Sequence, residues 1–255
     1  VTSRPGLTGS LVVGLTFAKG VAYALRLPYV AVDHILSHIY APQLAADIPY
    51  PHLTLLVSGG HTIIGMVDSF DRFSVMGTTI DDACGEAFDK VAKYYDLGFP
   101  GGVAVDKLAR EGDDRAFAFP QPSLHKGDHR YDVSYSGLKT AVITQIDQFW
   151  DRNYEKSKEN IAASFQKAAI AMLTDRVRKL LSDTGLQTLV AGGGVAANSL
   201  LRRELNTWED VYVVFPSMKL CTDNGAMIAG IGYHYLRDGI HSGFELNAEA
   251  RVPIF

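Results

Sequence analysis

Val190–Leu201 reads VAGGGVAANSLL: a short apolar run, three glycines, and the start of a segment with helical patterning. The run QTLVA (187–191) has the composition of a buried strand, and NSLLRREL (198–205) that of a helix opened by Asn198, a favoured N-cap residue. Between them Gly192, Gly193 and Gly194 carry no side chain to hold a ligand off the backbone, and the helix N-terminus beyond attracts anions. The spacing matches neither G-x-G-x-x-G nor the P-loop, so the stretch predicts a specialised nucleotide fold. Upstream, residues 160–185 form the clearest helix, with Ile161, Phe165, Ala168, Met172, Val177 and Leu180 recurring at helical spacing before Gly185. Downstream come a strand at VYVVF (211–215) and a helix at 224–236. That alternation defines an α/β sheet.

Toward the N-terminus, residues 10–25 are apolar or small all round, with Lys19 as the one charge, which is the pattern of a buried helix. Strand YVAVD (29–33) follows, then a helical run from His34. HLTLLVSGGHTIIGMVDS (52–69) splits at Ser58-Gly59-Gly60 into two strands joined by a glycine turn. Residues 80–98 have helical spacing, with Ala83, Ala87, Val91 and Tyr94 on one side and a stop at Gly98. Residues 111–135, rich in charge, Pro and His, predict a long surface loop rather than a linker between domains.

With 47% hydrophobic and 20% charged residues, the 255-residue chain has the composition of a folded protein, not a disordered one. Its formal net charge of -4 repels phosphate overall, so a nucleic-acid partner must be met by a local basic patch or by another subunit. Two cysteines, Cys84 and Cys221, are too few for a disulfide framework and fit a reducing, intracellular compartment. No apolar run approaches the ~20 residues of a membrane-spanning helix, and the start has no leader pattern, so no membrane is expected.

VDHILSHIYA (32–41) sets His34 and His38 one helical turn apart, about 40° around the axis, close enough to chelate one ion. A bare H-x-x-x-H describes two core histidines equally well. Ile35 stands where a zinc protease needs its glutamate, so peptide hydrolysis is unsupported. Asp223, in LCTDNGAMIAG at the mouth of a helix, is the best third ligand, and would be as much at home as a helix cap. Ser58-Gly59-Gly60 either brings backbone N–H groups to phosphate or makes a routine hairpin. Asp81, Asp82, Glu86, Asp89 and Asp106, interrupted by Gly101-Gly102, either bind ribose hydroxyls or an ammonium group or face solvent. SYSGLKTAV (134–142), with Lys139 and with His125, Lys126, His129 and Arg130 upstream, is the best local basic patch for RNA phosphates.

In their order, PGLTGSLVVGLTFAKGVA, DHILSHIYAP, LLVSGGHT, TIDDACGEAFDKVAKYYDLGFPGG, SYSGLKTAV, VAGGGVAAN and CTDNGAMIA resemble the TsaD family, also called Gcp or YgjD, from about Pro5 to Ile228. The resemblance implies the two-lobed actin/sugar-kinase/heat-shock ATPase-like fold of the α/β class. Residues 1–50 would then be the remainder of a first lobe carrying the H-x-x-x-H motif, and residues 51–255 a second lobe with the glycine loops and the third metal ligand. It implies transfer of the threonylcarbamoyl group of threonylcarbamoyl-AMP to N6 of adenosine 37 in tRNAs reading ANN codons. His34, His38 and Asp223 would be the ligands of one divalent metal, iron or zinc. Leu56, Val57, Ser58, Gly59, Gly60, Asp89, Gly102, Asp106 and Asn198 would hold the adenylate, while no residue stands out as a catalytic general base. The implied partners are tRNA and, in bacteria, the proteins TsaB and TsaE, in the cytoplasm or, for an organellar member, the mitochondrion. Family chains begin with further strands bearing Thr-Ser-Cys-Asp-Glu, so the first lobe is expected to be N-terminally incomplete here. They also usually read Gly-Pro-Gly at Arg4-Pro5-Gly6, so this turn is expected to differ. Two alternatives on the same fold are an ATP-dependent small-molecule kinase and a non-catalytic nucleotide-binding subunit.

Overall fold

Thr2–Arg4 (β1) and Val32–Asp33 (β2) pair in parallel, with Thr2 opposite Val32 and Arg4 opposite Asp33. The helix Thr8–Leu25 (α1) connects them, and His34–Tyr40 (α2) follows directly. The computed structural model describes residues 1–121 and 129–251. Two units emerge from the packing: Val1–Tyr50, Val67–Ser74 and Pro216–Phe255 form the first, Pro51–Met66 and Val75–Phe215 the second. The C-terminal segment therefore groups with the first fifty residues, whereas the division read from the sequence places all of 51–255 in one lobe. The reason is local: Ile231, in the helix Gly225–Arg237 (α10), closes a small core of Val30, Val32 and Leu36. A short helix, Met218–Cys221 (α9), precedes α10.

α1 is not the buried helix its composition predicts. Leu11, Leu15 and Ala22 face inward, but Val13 is 72% and Phe17 73% exposed. An all-round apolar helix needs cover on every side, and this unit supplies it on one. By length and composition alone the 18-residue α1 is long and apolar enough to cross a bilayer, although Lys19 and three glycines interrupt its apolar run. Here Lys19 donates to the carbonyls of Phe244 and Leu246, and the Tyr29 hydroxyl to that of Gly243, so the C-terminal segment straps this region down.

The second unit is built on His52–Val57 (β3), the greater part of Thr62–Ser69 (β4) and of Arg72–Thr78 (β5), Thr188–Gly192 (β6) and Tyr212–Val214 (β7), in the order β5-β4-β3-β6-β7. β6 runs parallel to both β3 and β7, and Leu56 lies opposite Gly192. Every residue of β3 is buried, as a central strand covered on both faces requires. Its helices are Cys84–Tyr94 (α3), Gly101–Ala109 (α4), Ser136–Thr144 (α5), Ile146–Phe149 (α6), Lys158–Thr184 (α7) and Ser199–Asn206 (α8). α7 starts where the Ser157 hydroxyl accepts from the Asn160 N–H and stops at Gly185 in the left-handed region. Its Phe165 ring lies 4.9 Å from that of Phe88, and Ala169, Leu173 and Val177 are fully buried beside it.

β5, α4 and α5 are absent from the sequence reading. α4 opens with two glycines and α5 with Ser-Gly, both weak helix formers, so burial of Val105, Leu138 and Val142 does what local propensity does not. Tyr94, assigned by spacing to the buried side of α3, is 58% exposed because the helix ends there. The expected surface loop at 111–135 is tied down at both flanks, with Phe117 bridged to Trp150 and Val133 to Thr79; its middle lies outside the described residues. Phe165→Ala should cost about 3–5 kcal/mol of unfolding free energy. Phe17→Ser, on the open side of α1, should change it by less than about 0.5 kcal/mol, and denaturant unfolding of both variants beside the parent measures the contrast.

Candidate metal centre and nucleotide loops

β2 ends at Asp33, whose Oδ1 accepts from the backbone N–H groups of Ile35 (2.8 Å) and Leu36 (3.2 Å) and so starts α2. Arg4 Nε stands 3.3 Å from the other carboxylate oxygen, which ties the cap back to β1. His34 is therefore the first residue of the helix and His38 lies one turn on, with ring centroids 4.6 Å apart. His38 is buried and His34 partly so. Asp223 comes from the segment between α9 and α10, with Oδ1 3.0 Å from His38 Nε2 and 3.6 Å from His34 Nε2. One ligand atom from each of the three residues lies within 4.8 Å of the others. The capping alternative for Asp223 falls away, because the next residue does that work: Asn224 Oδ1 accepts from the Met227 N–H at 3.0 Å. Asp223 is left with its carboxylate largely in solvent and turned toward two imidazoles, a donor set suited to a divalent transition metal.

The nucleotide residues read from the sequence all lie in the second unit. Leu56 and Val57 are buried in β3, so only their backbone can meet a ligand. The turn after them is closed by the Ser58 N–H donating to the His61 carbonyl at 2.8 Å, while Ser58 Oγ accepts from the His61 N–H. Gly59, Gly60, Gly102 and Gly194 have open space where a Cβ would sit. Gly85, Gly101 and Gly193 do not: a Cβ at Gly85 would meet the Ser58 carbonyl at 2.6 Å, and one at Gly193 would strike that of Val57. The other three side chains hold these loops in shape. Asp89 Oδ1 accepts from the Gly101 N–H at 2.8 Å. Asp106 Oδ1 accepts from the N–H and hydroxyl of Ser199, at 3.0 and 2.7 Å. Asn198 Oδ1 caps α8 by accepting from the N–H groups of Leu200 and Leu201, and its Nδ2 donates to Gln166 Oε1 at 2.8 Å. Gln166 is the residue that sequence reasoning passed over; a buried amide directly after Phe165 on an apolar helix is the signal that marks it.

The described cations of the basic patch around SYSGLKTAV each face a carboxylate. Lys139 bonds Asp82, which also takes Lys90; His129 Nδ1 lies 2.7 Å from Asp132, and Arg130 pairs with Asp183. His125 and Lys126 lie outside the described residues. Burial pushes the Asp81 carboxyl up, but hydrogen bonds from the Ser134 and Ser136 hydroxyls and from the N–H groups of Tyr135 and Ser136 outweigh it and hold it below the ordinary 3.8. At Asp82 burial is likewise outweighed, by Lys139 and Lys90. Both cysteines are buried and neither is in a disulfide, and burial pushes the Cys84 thiol up to about 12, far from a nucleophile's range.

Two solved structures share this architecture. They are full-length HypF in its phosphate- and nucleotide-bound form (TM-score 0.65, 16% identity, covering 88% of this chain and 46% of that one) and HypF of T. kodakarensis (TM-score 0.69, 13% identity, 94% and 40%). They define the class as the two-lobed actin/sugar-kinase/heat-shock ATPase-like fold. A family model described as TsaD, tRNA N6-adenosine threonylcarbamoyltransferase, matches residues 1–230. The tRNA N6-adenosine threonylcarbamoyltransferase of Treponema denticola is 60% identical over 254 residues, covering 100% of this chain and 75% of that protein. The chain belongs to the TsaD family.

The carboxyls of Asp81 and Asp82 titrate lower in the folded chain than in the unfolded one. They therefore favour folding above about pH 4, and that contribution disappears as pH falls through their lowered folded values. The thermal midpoint should drop between about pH 5 and pH 2, and Asp81→Asn and Asp82→Asn should each flatten that drop in calorimetry.

Proposed function

We propose that this chain transfers the threonylcarbamoyl group of threonylcarbamoyl-AMP to N6 of adenosine 37 in tRNAs that read ANN codons, in keeping with the name its family and relatives carry. The observation that carries the reading to this chain's own residues is the convergence of His34, His38 and Asp223, with Asp223 released from capping. We assign these three as the ligands of one divalent cation, iron or zinc. When bound, the cation supplies Lewis-acid polarisation of the carbonyl that is transferred.

The remaining work falls to the chain. The backbone of Leu56–Gly60, with Gly102, meets the adenylate where no side chain intervenes, and Asp89, Asp106 and Asn198 keep those loops in place. In the transfer the adenine N6 lone pair forms a C–N bond to the carbamoyl carbon. The C–O bond to phosphate breaks, AMP leaves with that electron pair, and N6 gives up a proton. Because no covalent enzyme intermediate is required, holding the two substrates in line supplies much of the acceleration. TsaB and TsaE, in the cytoplasm, are the partners we assign. With a formal net charge of -4, this chain leaves part of the tRNA grip to them. The kinase alternative finds no support in the names of the relatives, which are transferases acting on tRNA.

His34→Ala, His38→Ala and Asp223→Ala should each weaken metal binding by more than about 100-fold, the upper range for outer-shell changes. Transfer should be lost with the metal. Elemental analysis gives the metal content, and mass spectrometry gives threonylcarbamoyladenosine after incubation with tRNA, threonine, bicarbonate, ATP and the partner proteins. A His34→Ala protein with full metal and normal transfer would sink the assignment. ATP consumption with a small-molecule acceptor and no need for tRNA would favour the kinase.

A further inference from the structure

At 88% exposed, Phe99 is the most exposed large apolar side chain among the described residues. A solitary surface phenylalanine needs no explanation by itself. This one is distinguished by its mounting. It precedes Pro100 and Gly101, and the Gly101 N–H donates to Asp89 Oδ1 at 2.8 Å. Gly101 packs so closely on Asp89 that a Cβ there would meet the Asp89 Cα at 2.6 Å. The ring is thus presented to solvent from an anchored backbone, next to two residues of the nucleotide loops, Asp89 and Gly102.

Its surroundings are those of an RNA contact. Phe99 borders a cavity of about 420 Å³ together with Lys90, Lys93 and Asp89, and Tyr94, 58% exposed, adjoins Lys93 in the chain. Three acids line this cavity: Glu86 pairs with Lys90 at 2.9 Å, Asp89 holds Gly101, and Asp96 is exposed beside Lys158, which meets its backbone carbonyl. Lys93 is exposed, and among the described residues neither it nor Lys158, whose Nζ donates to the Asp96 backbone carbonyl at 3.2 Å, forms an ion pair. Exposed aromatic rings interleaved with uncommitted cations are how proteins hold unpaired nucleotides, by stacking on the base and neutralising the phosphate.

We propose that Phe99 is a stacking platform for an unpaired base of the acceptor tRNA, with Lys93 placed for the phosphate of the same strand. This rests on tRNA being the acceptor, and it makes Phe99 a positioning residue for that substrate.

The test is binding of a tRNA anticodon stem-loop to the full chain with its partner proteins, read by fluorescence anisotropy. Phe99→Ala should weaken binding roughly 5- to 150-fold, the range expected for one stacked base, and Phe99→Trp should retain it. Lys93→Glu should weaken binding and make it less sensitive to salt. The thermal midpoint of Phe99→Ala and its affinity for AMP should both equal the parent's, since the ring buries almost nothing. Equal RNA binding by Phe99→Ala and the parent overturns the platform, as does a matching loss of AMP binding, which would move Phe99 into the nucleotide site. A parent chain that binds no stem-loop even with its partner proteins overturns instead the acceptor reading on which the proposal rests.

Discussion

At the C-terminal ends of β3 and β6, backbone lies directly on backbone with no room for a Cβ. Gly193, in the left-handed region at φ 85°, sits against the Val57 carbonyl, and Gly85, at the start of α3, sits against Ser58 and Gly59. These two contacts decide where both glycine turns come to rest, and they explain two glycines by packing alone. They leave Gly59, Gly60 and Gly194 without such an explanation. A glycine costs about 0.5–1 kcal/mol relative to alanine in ordered chain, so open glycines grouped on adjoining turns point to something that must approach the backbone. The nucleotide reading draws its strength from this separation, not from the number of glycines.

The histidine pair depends on a different device, the sharing-out of helix caps. Asp33 spends one oxygen on the start of α2, and Arg4 faces the other, so the helix that carries both imidazoles is fixed at its first turn. Arg4 is the last residue of β1, where a glycine could make no such contact. At the start of α10 the cap falls to Asn224, and the neighbouring carboxylate of Asp223 is left for the histidines. Had Asp223 been the cap, its oxygens would have been turned into the helix and the cluster would have had no anion.

Much of this was legible in the sequence because it rests on short-range signals. Asn198 before SLLRREL, Gly185 after a 27-residue helix and the Ser58-Gly59-Gly60 turn are local punctuation, and each appears where its chemistry predicts. The paired histidines were visible as spacing, but whether Asp223 or Asn224 caps α10 depends on a single hydrogen bond that spacing does not encode. What stayed hidden was set by tertiary burial. α4 and α5 begin with residues that disfavour helices and are held by what they pack against. α1 has the reverse problem, since its apolar pattern describes a helix covered on all sides and this unit covers one. Gln166 was obscured for a related reason, as a polar residue in an apolar helix is explained only by the partner it meets, here Asn198.

Charge shows most clearly why a residue count is a poor guide to partners. SYSGLKTAV and its upstream basic residues look like a phosphate-binding patch in the linear sequence, yet Lys139 and Arg130 face carboxylates brought from elsewhere in the fold and His129 faces that of Asp132, three residues on. A cation already engaged in this way must give up its partner before it can meet phosphate, so it adds little to affinity. The cations that matter for RNA are those without an ion pair, and among the described residues Lys93 and Lys158 form none although neither belongs to a conspicuous basic run. For a chain with a net charge of -4, recognition of a polyanion then has to come from a few free lysines, from stacking that carries no charge, and from partner subunits.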